Sequence, residues 1–274
     1  MVRRSKQDKI RDLFVTLFRA WGRQHWWPAE SRFEVIVGAF LTQNTAWTNV
    51  ERALANLRQR EVLSLQGIRD LPLEEFEQLI RPSGYFRQKA RRLKTFIAHL
   101  DQRYGGSLEK MFAQPTHHLR AELLSLNGVG PETADSILLY AGNHEVFVVD
   151  AYTRRLLDRH DILPETAKYE DVRELMELAL TPQFAAQFAH DDGSVHTTTK
   201  PPGAHHPPSA MSIESRSARA QLFNEMHGLI VGVGKNYCQS RRALCEDCPL
   251  SQFVKKPVRL NRGTQVHLSN RPSK

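Results

Sequence analysis

The chain has 274 residues, 41% of them apolar, and a formal net charge of +8 at pH 7. That length and apolar content suit one large or two modest packed domains. No apolar run reaches the roughly 18 residues of a membrane span, and the basic N-terminus lacks a signal peptide's apolar segment, so we expect a cytoplasmic protein. Positive charge favours nucleic acid over anionic membranes or acidic proteins, although a basic soluble protein without such a partner has the same composition.

Apolar residues recur with helical spacing along most of the chain. Such stripes mark the buried faces of helices, and they run over residues 10–21, 33–41, 93–100, 134–141 and 222–233. The strand-like run at residues 146–149 is too short and too isolated to seed a sheet. The sequence therefore predicts an all-α fold of about ten helices of ordinary length.

Residues 183–216 interrupt this pattern. They are rich in Pro, His, Ser and Thr and show no sustained periodicity after Phe188, which predicts a disordered insertion between two helices. Its histidines could hold a metal, although a solvated polar loop is the more common case; they are His190, His196, His205 and His206. The polar, basic residues 255–274 predict a flexible tail.

A tight turn between two short helices is predicted near residue 128. Asn127 and Gly128 tolerate left-handed backbone angles and can end the first helix, while Pro131 suits the first turn of the next. Gly128 and Gly130 also let an external group approach the backbone, beside the positive N-terminus of the second helix. The turn is a candidate phosphate-binding site, and a plain hairpin of two helices is the alternative.

A lone aspartate, Asp150, follows the apolar run 146–149 and directly precedes the helical pattern "AYTRRLLDRH". Aspartate is a favoured residue at the start of a helix, so a structural role as N-cap accounts for this position. A carboxylate that follows a buried run can also act on a reacting group, and the two roles are compatible.

Four motifs occur in an order that resembles the endonuclease III superfamily of helix–hairpin–helix DNA glycosylases. They are "FEVIVGAFLTQNTAWTNVERAL", "SGYFRQKARRLK", "LNGVGPETADSIL" and "VFVVDAYTRRLL". The resemblance covers roughly residues 10–181 and 220–254. It implies two lobes, with DNA across the cleft between them: a helical barrel over residues 27–143, and a second helical domain of residues 1–26 plus 144–254.

The resemblance also assigns DNA contacts. In this family the backbone amides of the hairpin, often with a bound monovalent cation, hold a DNA phosphate; the matching residues are Asn127, Gly128, Val129, Gly130 and Thr133. Lys89 lies in the matching Gly-x-x-x-x-Lys-Ala segment and is a further DNA-binding candidate. Gln43 of "TQNT" would fill the gap left by an extruded base, and an ordinary polar turn residue is its alternative role.

Asp150 matches the catalytic aspartate of the family. Cleavage of a glycosidic bond builds positive charge on the sugar, which a nearby carboxylate stabilises. Bifunctional members also carry a hairpin lysine that forms a Schiff base and leads to strand cleavage, but Glu132 stands at that position. We therefore expect a monofunctional glycosylase. A glycosylase and lyase for oxidised pyrimidines that uses another amine, or a non-catalytic DNA-binding relic, are the alternatives.

Trp26, Trp27 and Trp47 are three of the four tryptophans and lie near the predicted DNA face. Tryptophan faces attract cations, so they predict a base pocket for a cationic alkylated purine; packing in the core is the alternative. These motifs without the hairpin lysine resemble the branch that includes 3-methyladenine DNA glycosylase III. We expect a monomer, associated with the nucleoid, that binds double-stranded DNA containing a damaged base.

Cys238, Cys245 and Cys248 have the spacing C-x6-C-x2-C. Endonuclease III continues to a fourth cysteine and closes a [4Fe–4S] cluster, but Val254 occupies that place here. The resemblance implies either a [4Fe–4S] cluster held by three thiolates and an outside ligand, or a vestigial loop that packs without iron.

Overall fold

The structure, a computed structural model, describes residues 4–189, 191 and 206–254. These residues form thirteen α-helices and no strand, so the predicted all-α fold is confirmed. None of the described helices is both long enough and apolar enough to cross a membrane. The helices are α1 Lys6–Trp21, α2 Arg32–Leu41, α3 Trp47–Gln59, α4 Leu65–Asp70, α5 Leu73–Leu79, α6 Phe86–Tyr104, α7 Leu108–Phe112, α8 Thr116–Ser125, α9 Pro131–Ser136, α10 Ala151–Arg159, α11 Tyr169–Ala179, α12 Pro182–Ala186 and α13 Ala218–Asn236.

Local sequence chemistry determines where several helices begin. The hydroxyls of Ser5 and Ser31 accept the backbone N–H groups of Asp8 and Glu34, and so cap α1 and α2. Ser217 caps α13 in the same way. Each cap satisfies a backbone donor that the first helical turn leaves without an intrahelical partner.

Two helices lie at the centre of the packed core. Every residue of α2 from Phe33 to Leu41 is buried, and α2 contacts α3, α6 and α9. The long helix α13 is buried over most of its length and contacts α1, α10 and α12. A π-helical turn, Ile137–Ala141, follows α9 and contacts both α2 and α13. The two groups of helices therefore meet at this turn, while the division into domains 27–143 and 1–26 plus 144–254 stays a prediction.

A buried ion pair holds α8 against α9. Arg120 donates to both carboxylate oxygens of Asp135, from Nε to Oδ1 at 2.7 Å and from Nη2 to Oδ2 at 3.1 Å. Asp135 is fully buried; burial raises its pKa, and the Arg120 charge opposes that change. The hydroxyl of Tyr169 in α11 donates to Asp135 Oδ2 at 2.9 Å and accepts the Val149 N–H at 3.3 Å. This network connects the helix pair to the residue before Asp150.

The prediction that residues 183–216 are disordered is wrong at both ends of that range. Phe184 in α12 and the following Phe188 pack their rings on Phe14, at centroid distances of 5.8 and 5.0 Å. At the other end, Met211 N–H donates to the Ala29 carbonyl at 3.0 Å. The polar composition concealed these contacts, because a few aromatic or backbone anchors leave no periodic pattern. Residue 190, residues 192–205 and the predicted tail 255–274 lie outside the described part of the chain.

Replacement of Arg120 by Met should lower the free energy of unfolding by about 3–5 kcal/mol, because it leaves the buried Asp135 carboxylate without its charged partner. The double variant Arg120→Met/Asp135→Leu should lose less, since it removes both charges. Urea unfolding would measure both. Arg103→Met is the matched control, because Arg103 pairs with Glu122 at the exposed surface. Equal losses in the single and double variants would contradict this role for the ion pair.

Candidate functional site

The predicted turn between two short helices lies between α8 and α9. Gly128 has a φ of +81°, which favours glycine, and a Cβ there would lie 2.0 Å from Arg92 Nε. Val129 is buried in the turn, whereas Asn127 and Gly130 are exposed. A Cβ on Gly130 would meet no protein atom within 4 Å. The conformation and packing of the described chain therefore require a glycine at position 128 but not at position 130. The absence of a side chain at Gly130 leaves the backbone there accessible to an external group.

Gln43, predicted to fill the gap of an extruded base, connects the turn after α2 to this hairpin. Its Nε2 donates to the Gly128 carbonyl and to the Thr133 hydroxyl, both at 3.0 Å. Its Oε1 accepts from Arg92 Nη1 at 2.8 Å. The neighbouring Asn44 is exposed and has a left-handed φ of +53°. Gln43 would have to leave these bonds to enter DNA, so its role in base extrusion stays a prediction.

Lys89 does not fit its predicted role as a DNA contact. Its side chain is buried, and its Nζ donates to the carbonyl oxygens of Leu41 and Ser83 at 2.8 and 2.7 Å. Burial, with a smaller contribution from the positive charge of Arg92, lowers the pKa of Lys89 to about 8. The prediction is therefore wrong: Lys89 joins the C-terminus of α2 to the N-terminal part of α6. The motif did not reveal this, because its spacing does not show which lysine points into the core.

Asp150 is the N-cap of α10. Its Oδ1 accepts the backbone N–H and the hydroxyl of Thr153 at 2.7 and 2.9 Å. Burial opposes ionisation, but the interaction with His227 and the Thr153 hydrogen bonds outweigh it and hold the pKa of Asp150 below its ordinary value. Asp150 is therefore an ionised carboxylate at neutral pH, and its assignment as the catalytic residue stays a prediction.

A histidine and a tyrosine lie beside Asp150. His227 Nε2, on α13, is 3.5 Å from Asp150 Oδ2, an electrostatic contact rather than a short hydrogen bond. His227 Nδ1 is hydrogen-bonded to the hydroxyl of Tyr140, which is carried by the π-helical turn. If the hydroxyl donates to Nδ1, a neutral imidazole carries its proton on Nε2, the atom that faces Asp150. Both rings are buried, and π-helical turns are frequent at functional sites.

Glu132 lies at an exposed position in the first turn of α9. Partial desolvation of its carboxyl group, followed by the negative charge of Asp150, raises the pKa of Glu132 above its ordinary value, although the residue as a whole is exposed. The family position for the nucleophilic lysine is thus occupied by a carboxyl group that interacts with Asp150.

The three predicted pocket tryptophans form one cluster. Trp27 meets Trp47 edge to face at a centroid distance of 5.0 Å, and Trp26 lies 6.3 Å from Trp47. The ring of Tyr140 lies 5.2 Å from that of Trp27. The tryptophan cluster therefore contacts the tyrosine that is hydrogen-bonded to His227. Trp26 and Trp27 are buried and Trp47 is half-buried. An edge-to-face contact at 5.0 Å leaves no space for a base between those two rings, so the base pocket stays a prediction that requires Trp47 to move.

Small residues allow the tryptophans to pack so closely. A Cβ on Gly38 of α2 would lie 3.1 Å from Trp27 Cζ2, and one on Gly228 of α13 would lie 3.1 Å from Trp26 Cβ. The tryptophan pair is therefore held between the two central helices.

In the cysteine loop, Cys238 and Cys248 are buried and Cys245 is half-buried. Burial, and to a smaller extent the two neighbouring cysteines, raises the pKa of the Cys248 thiol to about 11. Among the described residues, no three His, Cys, Asp or Glu side chains are close enough to hold a metal ion as they stand. The [4Fe–4S] cluster and the monovalent cation at the hairpin both stay predictions.

An all-α chain in which an ion-paired helix–turn–helix precedes an aspartate N-cap has the architecture of the helix–hairpin–helix class. The profile described as HhH-GPD superfamily base excision DNA repair protein matches residues 37–182, more than half of the 274 residues. The chain therefore belongs to the HhH-GPD family of base excision DNA repair proteins, and the predicted superfamily is confirmed.

Individual relatives agree with this assignment. The chain is 38% identical to a candidate DNA repair glycosylase of Methanocaldococcus jannaschii, over 92% of this chain and 98% of that one. It is 27% identical to the crystal structure of H. pylori 3-methyladenine DNA glycosylase (MagIII) bound to 1,N6-ethenoadenine, with a TM-score of 0.64 over 85% and 98% of the two chains. A trapped endonuclease III–DNA covalent intermediate has the same fold, with a TM-score of 0.65 and 19% identity over 92% and 97%.

Three residues of this site were not predicted from the sequence: Arg92, Tyr140 and His227. Arg92 lies in the segment "SGYFRQKARRLK", in which Lys89 rather than Arg92 was assigned as a functional residue. Tyr140 and His227 lie within apolar stripes, where helical spacing predicts a buried position but not a polar contact between distant helices. The signal available in the sequence is weak: His227 is a titratable residue in the mainly apolar stripe of α13, which also buries Asn224 and Glu225.

His227→Phe should raise the pKa of Asp150. Burial raises this pKa, and phenylalanine would not offset that effect by a hydrogen bond or a positive charge as His227 does. The acid limb of the pH profile for base release should move to higher pH. Loss of the contact that holds the carboxylate in place should separately lower the rate at pH 7 about tenfold, the equivalent of about 1.4 kcal/mol. His99→Phe is the control, because His99 also contacts a carboxylate, that of Glu122, away from this site. An unchanged acid limb in His227→Phe would contradict the assignment.

Proposed function

We propose that the protein is a DNA glycosylase that releases a damaged base from double-stranded DNA without cutting the strand. The observation that carries this proposal is a half-buried carboxylate, Asp150, whose pKa is held below its ordinary value and which lies 3.5 Å from His227 beside a cluster of aromatic rings. The names of the relatives support it: one is a candidate DNA repair glycosylase, and another is a 3-methyladenine DNA glycosylase.

Asp150 would stabilise the transition state electrostatically. Release of a base builds positive charge on the sugar, and a negative charge stabilises it most where water is excluded. Both Thr153 donors bind Oδ1, so Oδ2 is the oxygen left to face the sugar or to orient an attacking water molecule. His227, 3.5 Å from Oδ2, would favour the ionised form and hold the carboxylate in place.

The hairpin would bind the DNA backbone. Gly130 is exposed, and a side chain at this position would meet no protein atom. A bare backbone lets a phosphate come within hydrogen-bond distance of the amides. This phosphate contact would contribute to DNA affinity independently of base sequence, and that contribution should weaken as the salt concentration rises.

Asp150→Asn should lower the rate of base release about 100-fold or more while leaving the affinity for DNA nearly unchanged. Asparagine retains an oxygen that can accept the Thr153 N–H, so the N-cap of α10 should survive. Single-turnover assays on lesion-containing duplexes would measure the rate, and Asp158→Asn, on an exposed position of the same helix, is the matched control. A rate within about threefold of the wild type, under ~1 kcal/mol, would exclude the catalytic role.

Glu132 supports a reaction in which water, not an amine, attacks the sugar. A carboxyl group at this position cannot form the Schiff base on which strand cleavage depends. The charge of Asp150 affects the pKa of Glu132, so a lysine at this position should also interact with that carboxylate.

Borohydride should trap no covalent adduct between the wild-type protein and DNA, whereas Glu132→Lys should yield one, because it places an amine beside Asp150. Gel electrophoresis of the reduced complexes would separate these outcomes, and the lysine variant serves as the positive control for trapping. A strong adduct with the wild-type protein would show that another amine acts as nucleophile, and that the protein is a glycosylase and lyase.

We propose that the damaged base is an alkylated purine. The aromatic cluster includes a half-buried ring, Trp47, held by a hydrogen bond from its Nε1 to Glu51 Oε1 at 2.8 Å. Rotation of this ring away from Trp27 would open a slot with aromatic walls. A cationic ring such as 3-methyladenine would gain both stacking and cation–π attraction there, and a neutral oxidised pyrimidine would gain less.

Trp47→Ala should slow the release of 3-methyladenine about 10- to 100-fold, because cation–π attraction and stacking each contribute about 1–2 kcal/mol. Binding to undamaged duplex should change little, since phosphate contacts dominate that affinity. Release rates from duplexes containing 3-methyladenine or thymine glycol would test the selectivity. A wild-type preference for thymine glycol, or a neutral effect of Trp47→Ala, would refute the aromatic pocket.

A further inference from the structure

A tyrosine hydroxyl lies behind the histidine that faces Asp150. Tyr140 belongs to the π-helical turn Ile137–Ala141, and its side chain is 1% exposed. Its hydroxyl is hydrogen-bonded to Nδ1 of His227, on α13. The other ring nitrogen, Nε2, faces Asp150 Oδ2 at 3.5 Å and has no hydrogen-bond partner among the described residues. The three side chains thus form a row, with the carboxylate at one end and the phenol at the other.

One protonation arrangement of this row makes every contact attractive. A neutral imidazole carries its proton on Nδ1 or on Nε2, and the group bonded to the second nitrogen decides which. With the proton on Nδ1, His227 would turn the lone pair of Nε2 toward a carboxylate oxygen. With Tyr140 as the donor, an Nε2–H faces Asp150 Oδ2 and stabilises its negative charge. Burial raises the pKa of Tyr140 well above its ordinary value, so the phenol retains the proton that it donates.

Aromatic packing holds the ring of Tyr140 in place independently of this hydrogen bond. The ring centroid lies 5.2 Å from that of Trp27 and 6.4 Å from that of Trp26. The π-helical turn itself contacts both α2 and α13. Phenylalanine at position 140 would keep these contacts and lose only the hydroxyl group, so the hydroxyl can be tested without removal of the ring.

We propose that Tyr140 is a positioning residue: its hydroxyl holds His227 in the tautomer that presents Nε2–H to Asp150. The proposal rests on the proposed catalytic role of Asp150. A separation of 3.5 Å between Nε2 and Oδ2 is longer than a hydrogen bond, so Oδ2 stays available to the sugar or to a water molecule. Tyr140 would therefore act on the reaction through the imidazole alone.

Other ionisable groups surround this row and must be separated from Asp150 in any pH experiment. They are Glu132 of α9, Tyr152 and Arg154 of α10, and Arg216 before α13. Glu132 is the carboxyl group that could titrate together with Asp150, because partial desolvation and the charge of Asp150 raise its pKa. His227 opposes that rise, so the tautomer of His227 would affect both carboxyl groups.

The first test is the pH profile of single-turnover base release by full-length Tyr140→Phe, on a duplex containing 3-methyladenine. Asp150 must be ionised to act, and the Nε2–H favours its ionised form, so the variant should lose activity at higher pH than the wild type on acidification. At pH 7 the rate should fall roughly 2- to 10-fold, the effect of one hydrogen bond, with unchanged affinity for the duplex. The shift should persist when both proteins also carry Glu132→Gln. Tyr104→Phe is the matched control, because the Tyr104 hydroxyl donates to the Glu122 carboxylate away from this site.

A double variant separates action through the imidazole from a merely structural role. His227→Phe/Tyr140→Phe should have the same pH profile and rate as His227→Phe, because the hydroxyl has no imidazole left to orient. Additive losses in the double variant, or an unchanged acid limb in Tyr140→Phe, would each overturn the proposal.

Nitrogen NMR of protein with isotopically labelled histidine reads the tautomer without any DNA. The His227 signals, identified by their loss in His227→Phe, should show a protonated Nε2 and an unprotonated Nδ1 in the wild type, and the Nδ1–H form should appear in Tyr140→Phe. A wild-type ring with its proton on Nδ1 would overturn the proposal. Unchanged base release by Asp150→Asn would instead refute the proposed function, and the positioning role with it, even where NMR shows the expected tautomer.

Discussion

The buried ion pair between Arg120 and Asp135 is the interaction on which the geometry of the candidate site depends. It joins two helices that are each too short to be stable alone, and so it determines the shape of the turn between them. Asp135 also binds the Tyr169 hydroxyl, which in turn accepts the N–H of Val149. The residue before Asp150 is thus attached to the hairpin that is proposed to bind DNA. A buried pair of this kind is costly to desolvate. Its role here is positional, because it specifies one arrangement of the hairpin turn relative to the carboxylate.

The second determinant is the packing of the tryptophan segment and the π-helical turn between α2 and α13. Gly38 and Gly228 bring this segment within contact of both helices, and the Gln24 N–H donates to the buried Glu225 carboxylate at 2.8 Å. His227 of α13 lies between Tyr140 and Asp150. The helix that packs against Trp26 therefore also carries the imidazole that lowers the pKa of the carboxyl group. Tyr140 is a core residue that also belongs to the site, because the π-helical turn that carries it contacts both central helices.

Much of the fold could be predicted because its information is local. Helical stripes, serine caps and the glycine turn each depend on neighbours within about four residues, and the order of four motifs identified the superfamily. Predictions failed where a residue's partner lies far along the chain. Lys89 looked like a DNA contact, but carbonyl groups of Leu41 and Ser83 surround its ammonium group. Phe184 and Phe188 looked like part of a disordered segment, but α1 provides an aromatic surface for them.

The sequence by itself determined the all-α class, the superfamily, the position of the hairpin and the aspartate that follows it. It also showed that the lysine of the lyase reaction and the fourth cysteine are replaced by Glu132 and Val254. Only the tertiary structure decided which side chains surround these positions: His227 beside Asp150, Tyr140 against His227, and Arg92 against Gly128. The physical reason is that backbone propensity and periodicity report burial, whereas the ionisation of a carboxylate and the partner of an imidazole depend on atoms from helices distant in the chain.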